Sequence, residues 1–356
     1  MINFRLTSLF FVLFACFAVN ISAQSGRTKP SPTPAPNSIS GPSVLNTPAP
    51  TPRNVATQKT TSKPVNDDVV KIDSTLVPIP VSVFDATGKA ISTLNNTDFE
   101  LRIDGKLVEV GDVYRSDSPI RLAMLFDNSS SVTLARDFER EAAVRFFKRV
   151  IRPETDTAAL FTVADQTRLE QPLTNNIASL TRAIELIPPP AGATALFEGI
   201  IEAADYLRSS TGRRVLVIVS DGEDTYSDMQ ITLDVVIRNL QLNNVQVYVV
   251  KTKDFENYKR TGSRAGNANI RALTAERRML EITQQTGGAV YSPIEDREMN
   301  AAFDDISAAL AQQYVISYYP EDDADKAGEF RTIAVDIKAK QNLTIRARKG
   351  YYVPKK

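Results

Sequence analysis

The stretch Ile120-Arg121-Leu122-Ala123-Met124-Leu125-Phe126-Asp127-Asn128-Ser129-Ser130-Ser131 decides the fold. Its first seven residues are almost continuously apolar, as a strand covered on both faces should be. It ends in an acid and a serine-rich turn. Beyond the turn, Leu134, Phe138, Ala142, Phe146 and Val150 recur at helical spacing, separated by Arg136, Glu139, Arg140, Glu141 and Arg145. The alternation repeats, with expected strands at Ala158 to Val163, Arg214 to Val219, Val245 to Val250 and Ala289 to Tyr291. Helices are expected at Ile177 to Ile187, Ala195 to Leu207, Ile231 to Leu240 and about Arg271 to Thr286, with a last one carrying Phe303, Ile306 and Leu310. Gly287-Gly288 is a helix stop signal. Repeated strand and helix segments predict an α/β domain over 118–313, with a doubly wound, mainly parallel sheet and helices on both faces.

Outward from this domain the period changes to that of small β modules. On the amino side, over 69–117, Val77, Ile79, Val81 and Val83 alternate with Pro78, Pro80, Ser82 and Phe84. Phe99, Leu101 and Ile103 then lead into Asp104-Gly105, a strong hairpin signal. On the carboxyl side, over 314–356, strands are expected at Tyr314 to Tyr319, Thr332 to Ile337 and Leu343 to Ala347, ending in Tyr351-Tyr352-Val353. Because the two β segments bracket the α/β domain, they are expected to pack together. The acidic run Glu321-Asp322-Asp323-Ala324-Asp325 lacks the spacing of an EF-hand and reads as a solvated hairpin tip.

Residues 1–23 read as a secretory signal: Arg5, an apolar run from Leu6 to Val19, and the small-residue end Ile21-Ser22-Ala23. An uncleaved anchor and a lipidation site at Cys16 are the alternatives. Residues 24–68 carry nine prolines among Ser, Thr, Ala and Asn, a composition that does not fold and reads as a Pro-rich disordered linker. Extended as polyproline II, these roughly 45 residues reach on the order of 140 Å. The expected location is secreted, periplasmic or at the cell envelope, with no membrane span in the mature chain.

Composition narrows the chemistry. The 356 residues contain no histidine and one cysteine, with 42 Lys+Arg against 42 Asp+Glu. Ser-His and Cys-His nucleophile pairs and imidazole metal sites are excluded. Zero net charge gives no overall field for gathering nucleic acid. No phosphate-binding GxxxxGK, GxGxxG or GxSxG sequence follows a strand. The segment Lys251 to Arg271 reads as a long polar insertion, either a basic rim or a mobile solvated loop.

In a doubly wound sheet, ligands bind beyond the carboxyl ends of the strands. The residues expected there are Asp127, Ser129, Ser131, Thr194 and Asp221: two carboxylates and three hydroxyls. Singly, each has an ordinary explanation, the hydroxyls as helix N-caps and the aspartates as turn-formers. Jointly they form an all-oxygen set suited to Mg²⁺ or Mn²⁺, and to Ca²⁺ less well. A partner's Asp or Glu carboxylate is the natural outside ligand. The series Asp127-x-Ser129-x-Ser131, then Thr194, then Asp221-Gly222, resembles the metal-ion-dependent adhesion site of von Willebrand factor type A domains. That resemblance covers about 118–313 and implies that the five residues ligate a metal, directly or through water, to capture an acidic residue of a protein ligand. Ser130 stands where many relatives have Gly. The chain as a whole resembles bacterial secreted proteins related to that domain, through Asp98-Phe99-Glu100, Asp104-Gly105-Lys106 and Arg346-Ala347-Arg348-Lys349-Gly350-Tyr351-Tyr352.

The expected function is therefore non-enzymatic protein binding. Two alternatives stay open at this point. One is a metal-dependent phosphoryl-transfer or hydrolytic enzyme with Asp127 as nucleophile. The other is a structural envelope protein with a vestigial site.

Overall fold

The computed structural model describes residues 76–264, 269–320, 326–338 and 342–353. The expected signal, the Pro-rich linker and the acidic run 321–325 lie outside the described residues. Six strands form the central sheet: β5 (Ile120–Asp127), β6 (Thr157–Val163), β7 (Thr167–Thr174), β8 (Arg213–Ser220), β9 (Val245–Lys251) and β10 (Ala289–Tyr291). Their order is β10-β9-β8-β5-β6-β7, parallel throughout except for β7, which runs antiparallel to β6 at one edge. Six of the eight β5 residues from 120 to 127 alternate between two cores. Leu122, Met124 and Phe126 face the layer containing α1 (Arg136–Val150), α2 (Ile177–Leu186) and α7 (Asp296–Ala311). Ala123 and Leu125 face α3 (Leu196–Leu207), α4 (Leu233–Leu242) and α6 (Ile270–Thr286). Both faces of this strand are dry, which accounts for its unbroken apolar sequence.

The flanking segments form two antiparallel four-stranded sheets. One has the order β13-β1-β11-β4, from β1 (Val77–Phe84), β4 (Val113–Arg115), β11 (Tyr314–Tyr318) and β13 (Thr344–Ala347). The other has the order β14-β12-β2-β3, from β2 (Phe99–Ile103), β3 (Lys106–Val108), β12 (Phe330–Ile337) and β14 (Gly350–Tyr352). Amino- and carboxyl-side strands pair directly, Val77 with Tyr318 and Leu101 with Val335. Ile79, Val81, Leu101, Ile103, Tyr314, Ile316 and Ile333 share one core between the sheets. The turn between β2 and β3 holds Asp104 at φ 49° and Gly105 at φ 77°, left-handed conformations that suit an Asp-Gly hairpin. Among the described residues no helix is long and apolar enough to cross a membrane.

The structure corrects the sequence reading in three places. The 251–271 segment is not one polar insertion: α5 (Lys253–Thr261) occupies its first half and ends at Gly262, in the left-handed conformation. Phe255, fully buried, anchors this helix, and one such ring among polar neighbours left too little pattern to recognise. Strand β7 was not anticipated, because half-exposed edge residues give it no apolar run. Arg136 and Glu139, read as the polar face of α1, are buried at 5% and 1% exposure.

Candidate functional site

β5 and β8 are neighbours, so their carboxyl ends bring Asp127 and the Ser220-Asp221 pair together at one edge of the sheet. Asp127, Ser129, Thr194 and Asp221 are buried, and Ser131 is exposed at the rim. The Ser129 N–H donates to Asp127 Oδ1 at 2.9 Å, and the Ser129 and Ser131 hydroxyl oxygens lie 3.0 Å apart. The Glu223 N–H donates to Asp221 Oδ1 at 2.9 Å. Both aspartates thus hold turns. The hydroxyls, in contrast, are not helix caps: Ser129 begins a 3-10 turn without a side-chain cap, and the N-cap position of α3 belongs to Ala195.

The loop bearing Thr194 is tied to the serine turn through Gly192, whose carbonyl accepts from the Ser130 N–H at 3.3 Å and the Ser130 hydroxyl at 3.0 Å. Ser130 therefore gains an anchor that glycine would not provide. Gly192 sits at φ 82°, and a Cβ there would meet Asp165 Oδ1 at 2.7 Å. Asp165 Oδ1 accepts from the Ala193 N–H at 2.5 Å, fixing the approach to Thr194. On the other side, the Thr194 carbonyl accepts from the N–H groups of Thr225 and Tyr226 at 2.9 and 3.0 Å.

Burial and the neighbouring Asp221 charge push the Asp127 carboxyl up to about 6, although hydrogen bonds from Ser220 and Ser129 favour its ionised form. No guanidinium or ammonium ion-pairs with Asp127 among the described residues. Arg136 donates instead to the Asp127 carbonyl at 3.3 Å and to the Pro188 carbonyl at 3.2 Å, with its guanidinium 4.9 Å from the Phe126 ring centre. Asp221 has one cationic neighbour, Lys253 Nζ, at 3.7 Å from Oδ2, and that ammonium is closer to Glu223 Oε1, at 2.9 Å. Behind the site lies Glu139, wholly buried, with neither carboxylate oxygen hydrogen-bonded. Burial first, and then Asp127, raise its pKa well above the usual range; the Thr252 hydroxyl approaches without reaching hydrogen-bond geometry. Negative charge is in excess here, so a bound dication fits the donor set electrostatically. Among the described residues no group of three or more His, Cys, Asp or Glu side chains could hold a metal ion; two carboxylates with three hydroxyls is a different donor set.

Sequence reasoning missed Ser220, Asp165 and Glu139. Ser220 had a signal, its position one residue before Asp221 at a strand end. Asp165 and Glu139 had none, because their roles depend on contacts across 28 residues and across two elements.

A mainly parallel sheet covered by helices on both faces, with oxygen-bearing loops beyond adjacent strand ends, defines a doubly wound α/β domain with an edge site. Residues 122–285 match the family model of the von Willebrand factor type A domain, and this part of the chain is a domain of that family. Among solved structures, the PilB minor pilin from Streptococcus sanguinis is 14% identical at a TM-score of 0.43, over 56% of this chain and 63% of the pilin, so less than two thirds of that relative is spanned. An aerotolerance-related membrane protein from Bacteroides fragilis is 18% identical, with a TM-score of 0.41, over 54% of this chain and 98% of its own. The vWF domain of the type V pili tip protein Mfa5 from Porphyromonas gingivalis is 13% identical, with a TM-score of 0.42, over 54% and 95%. No curated protein matches the sequence.

Proposed function

We propose that the chain is an exported protein-binding module in which Asp127, Ser129, Ser131, Thr194 and Asp221 hold Mg²⁺ or Mn²⁺, and that the ion captures an Asp or Glu side chain of a partner protein. The supporting observation is the pair of adjacent buried aspartates, one with no cationic partner among the described residues and the other sharing a lysine with Glu223. A dication would relieve their mutual repulsion and supply the attraction for an anion that this chain's balanced charge does not. Residues of the family to which 122–285 belongs commonly mediate protein interactions, and binding rather than catalysis suits a site with serine hydroxyls beside the first aspartate. An N-terminal export signal and Pro-rich spacer would present the module at or beyond the cell envelope.

Calorimetric titration of the full chain with Mg²⁺ and Mn²⁺ tests the metal site. One-site binding is expected for the wild type and none for Asp127→Ala. Absence of heat with both ions in the wild type would remove the proposal. For the partner, capture from an envelope fraction should occur with Mg²⁺ and be lost with EDTA; retention in EDTA would show that the metal plays no part.

A further inference from the structure

At the opposite edge of the central sheet, the amino ends of β8 and β9 meet the β1, β4 and β11 sheet around a cavity of about 430 Å³. That is within the range of small-molecule sites, roughly 300 to 1,000 Å³. Leu240, Val245, Val315 and Pro80 give it apolar walls, and Arg213, Arg214 and Arg348 also line it. None of these three guanidiniums has a carboxylate within ion-pair distance among the described residues. Arg213 donates to the Leu310 carbonyl at 3.0 Å and to Gln313 Oε1 at 2.6 Å. Arg214 donates to the carbonyls of Asn243 and Ser210. Arg348 donates to Asn244 Oδ1 and to the Pro78 carbonyl. The Nε atoms of Arg213 and Arg348 are buried without a hydrogen-bond partner.

Part of this positive charge has a structural purpose. The carboxyl ends of α4 and α6 line the cavity, and Leu310 near the end of α7 offers its carbonyl to Arg213, so helix-end partial charges offset part of the guanidinium charge. No carboxylate within ion-pair distance among the described residues offsets the rest. Arg348 has no carboxylate partner; its contacts are a side-chain amide, the Pro78 carbonyl and the Tyr351 ring, whose centre lies 5.8 Å from the guanidinium. Burial lowers its pKa to about 10, a sign of how poorly the surroundings solvate the cation.

We propose that this cavity binds an aliphatic monocarboxylate, with the carboxylate against Arg348 and the chain along the Leu240, Val245 and Val315 wall. A carboxylate supplies the anionic partner that the three guanidiniums lack among the described residues. The walls favour an apolar body over a fully hydrated anion such as phosphate. This site is separate from the proposed metal site and does not depend on it.

Octanoate serves as the probe, titrated calorimetrically into the full chain at pH 7, with inorganic phosphate in a parallel arm. Saturable one-site binding of octanoate is expected, and phosphate is expected not to bind. Arg348→Met should weaken octanoate binding at least tenfold. Because that variant could also disturb the fold, Asn244→Asp provides a second arm. Asn244 sits at φ 51°, which aspartate tolerates, and its Oδ1 already receives an Arg348 proton. An aspartate there supplies an internal counter-anion, so the variant should melt no lower than wild type yet bind octanoate at least tenfold more weakly. No octanoate binding by the wild type, undiminished binding by a folded Asn244→Asp variant, or binding of phosphate in preference to octanoate would each overturn the proposal.

Discussion

The Ser220 hydroxyl donates a 2.6 Å hydrogen bond to Asp127 Oδ2, linking the carboxyl ends of β8 and β5 beneath the candidate metal site. The Ser220 hydroxyl oxygen in turn accepts from the Gly222 N–H at 3.0 Å, so one buried hydroxyl orders both aspartate-bearing turns. Ser220→Ala leaves a carboxylate oxygen and a backbone N–H without this partner. The expected cost is about 1–3 kcal/mol in urea unfolding, the usual penalty for an unsatisfied buried group. Losing a bond to the ionised form should also weaken Mg²⁺ binding by about tenfold. An unchanged urea midpoint would show that the bond carries no weight.

Asp127 makes metal-free stability depend on pH in an unusual direction. Its folded pKa of about 6 lies above the ordinary 3.8, so between these values the folded state holds the extra proton. The protonated form is therefore favoured by folding, and this contribution is lost as pH rises through 6. In EDTA, acidification from pH 7.5 to 5 should stabilise the wild type through this group. Asp127→Asn should remove that gain, worth about 1.4 kcal/mol for the one pH unit between the folded pKa of about 6 and pH 5. The pKa values of Glu139 and Glu256 are also raised, that of Glu139 partly by Asp127 itself, so the difference between wild type and variant reads Asp127 together with its influence on Glu139. Equal pH slopes for the two proteins would contradict this account. Adding Mg²⁺ at pH 7.5 should stabilise only the wild type.

Lys253 places an ammonium 3.7 Å from Asp221 Oδ2, where it is held by Glu223. A dication held by Asp221 would be repelled by that neighbour. Lys253→Met is expected to raise Mg²⁺ affinity by about fivefold, corresponding to about 1 kcal/mol for partly screened charges at this range. Calorimetry reads the change directly. A weaker affinity in the variant would instead mean that the lysine organises Asp221 for the metal.

The alternation of Leu122, Met124 and Phe126 with Ala123 and Leu125 made the central strand legible, because each residue type answers to its own immediate packing. The antiparallel edge β7 was not, since Leu169 and its neighbours are only partly covered and an edge needs little hydrophobic pattern. The α5 helix was hidden for a related reason: Phe255 carries most of its burial. At the site, strand ends could be located from local sequence, which put Asp127 and Asp221 at the same edge. The anchoring of Ser130 to Gly192 and the burial of Glu139 arise from contacts between distant segments. No local period reports such contacts.

Glu139 is the least favourably placed ionisable group near the site. Its two oxygens are buried and unpaired, Asp127 and Glu256 raise its pKa further, and the Arg136 charge offsets only part of this. Glu139→Gln keeps the shape, removes the charge and brings an amide donor toward the unpaired Thr252 hydroxyl. The expected result at pH 8 is a gain of about 1–3 kcal/mol in urea unfolding, the usual scale for an unsatisfied buried polar group. The sign follows from the raised pKa: ionising Glu139 costs folded-state stability as pH rises, so the gain should be smaller at pH 5 than at pH 8. Metal binding supplies the control. If Glu139 acts only through its charge behind Asp127, removing it should weaken Mg²⁺ binding modestly through the lost attraction. Destabilisation of Glu139→Gln at pH 8 would mean that the carboxylate is ionised and paired in solution, contrary to the geometry.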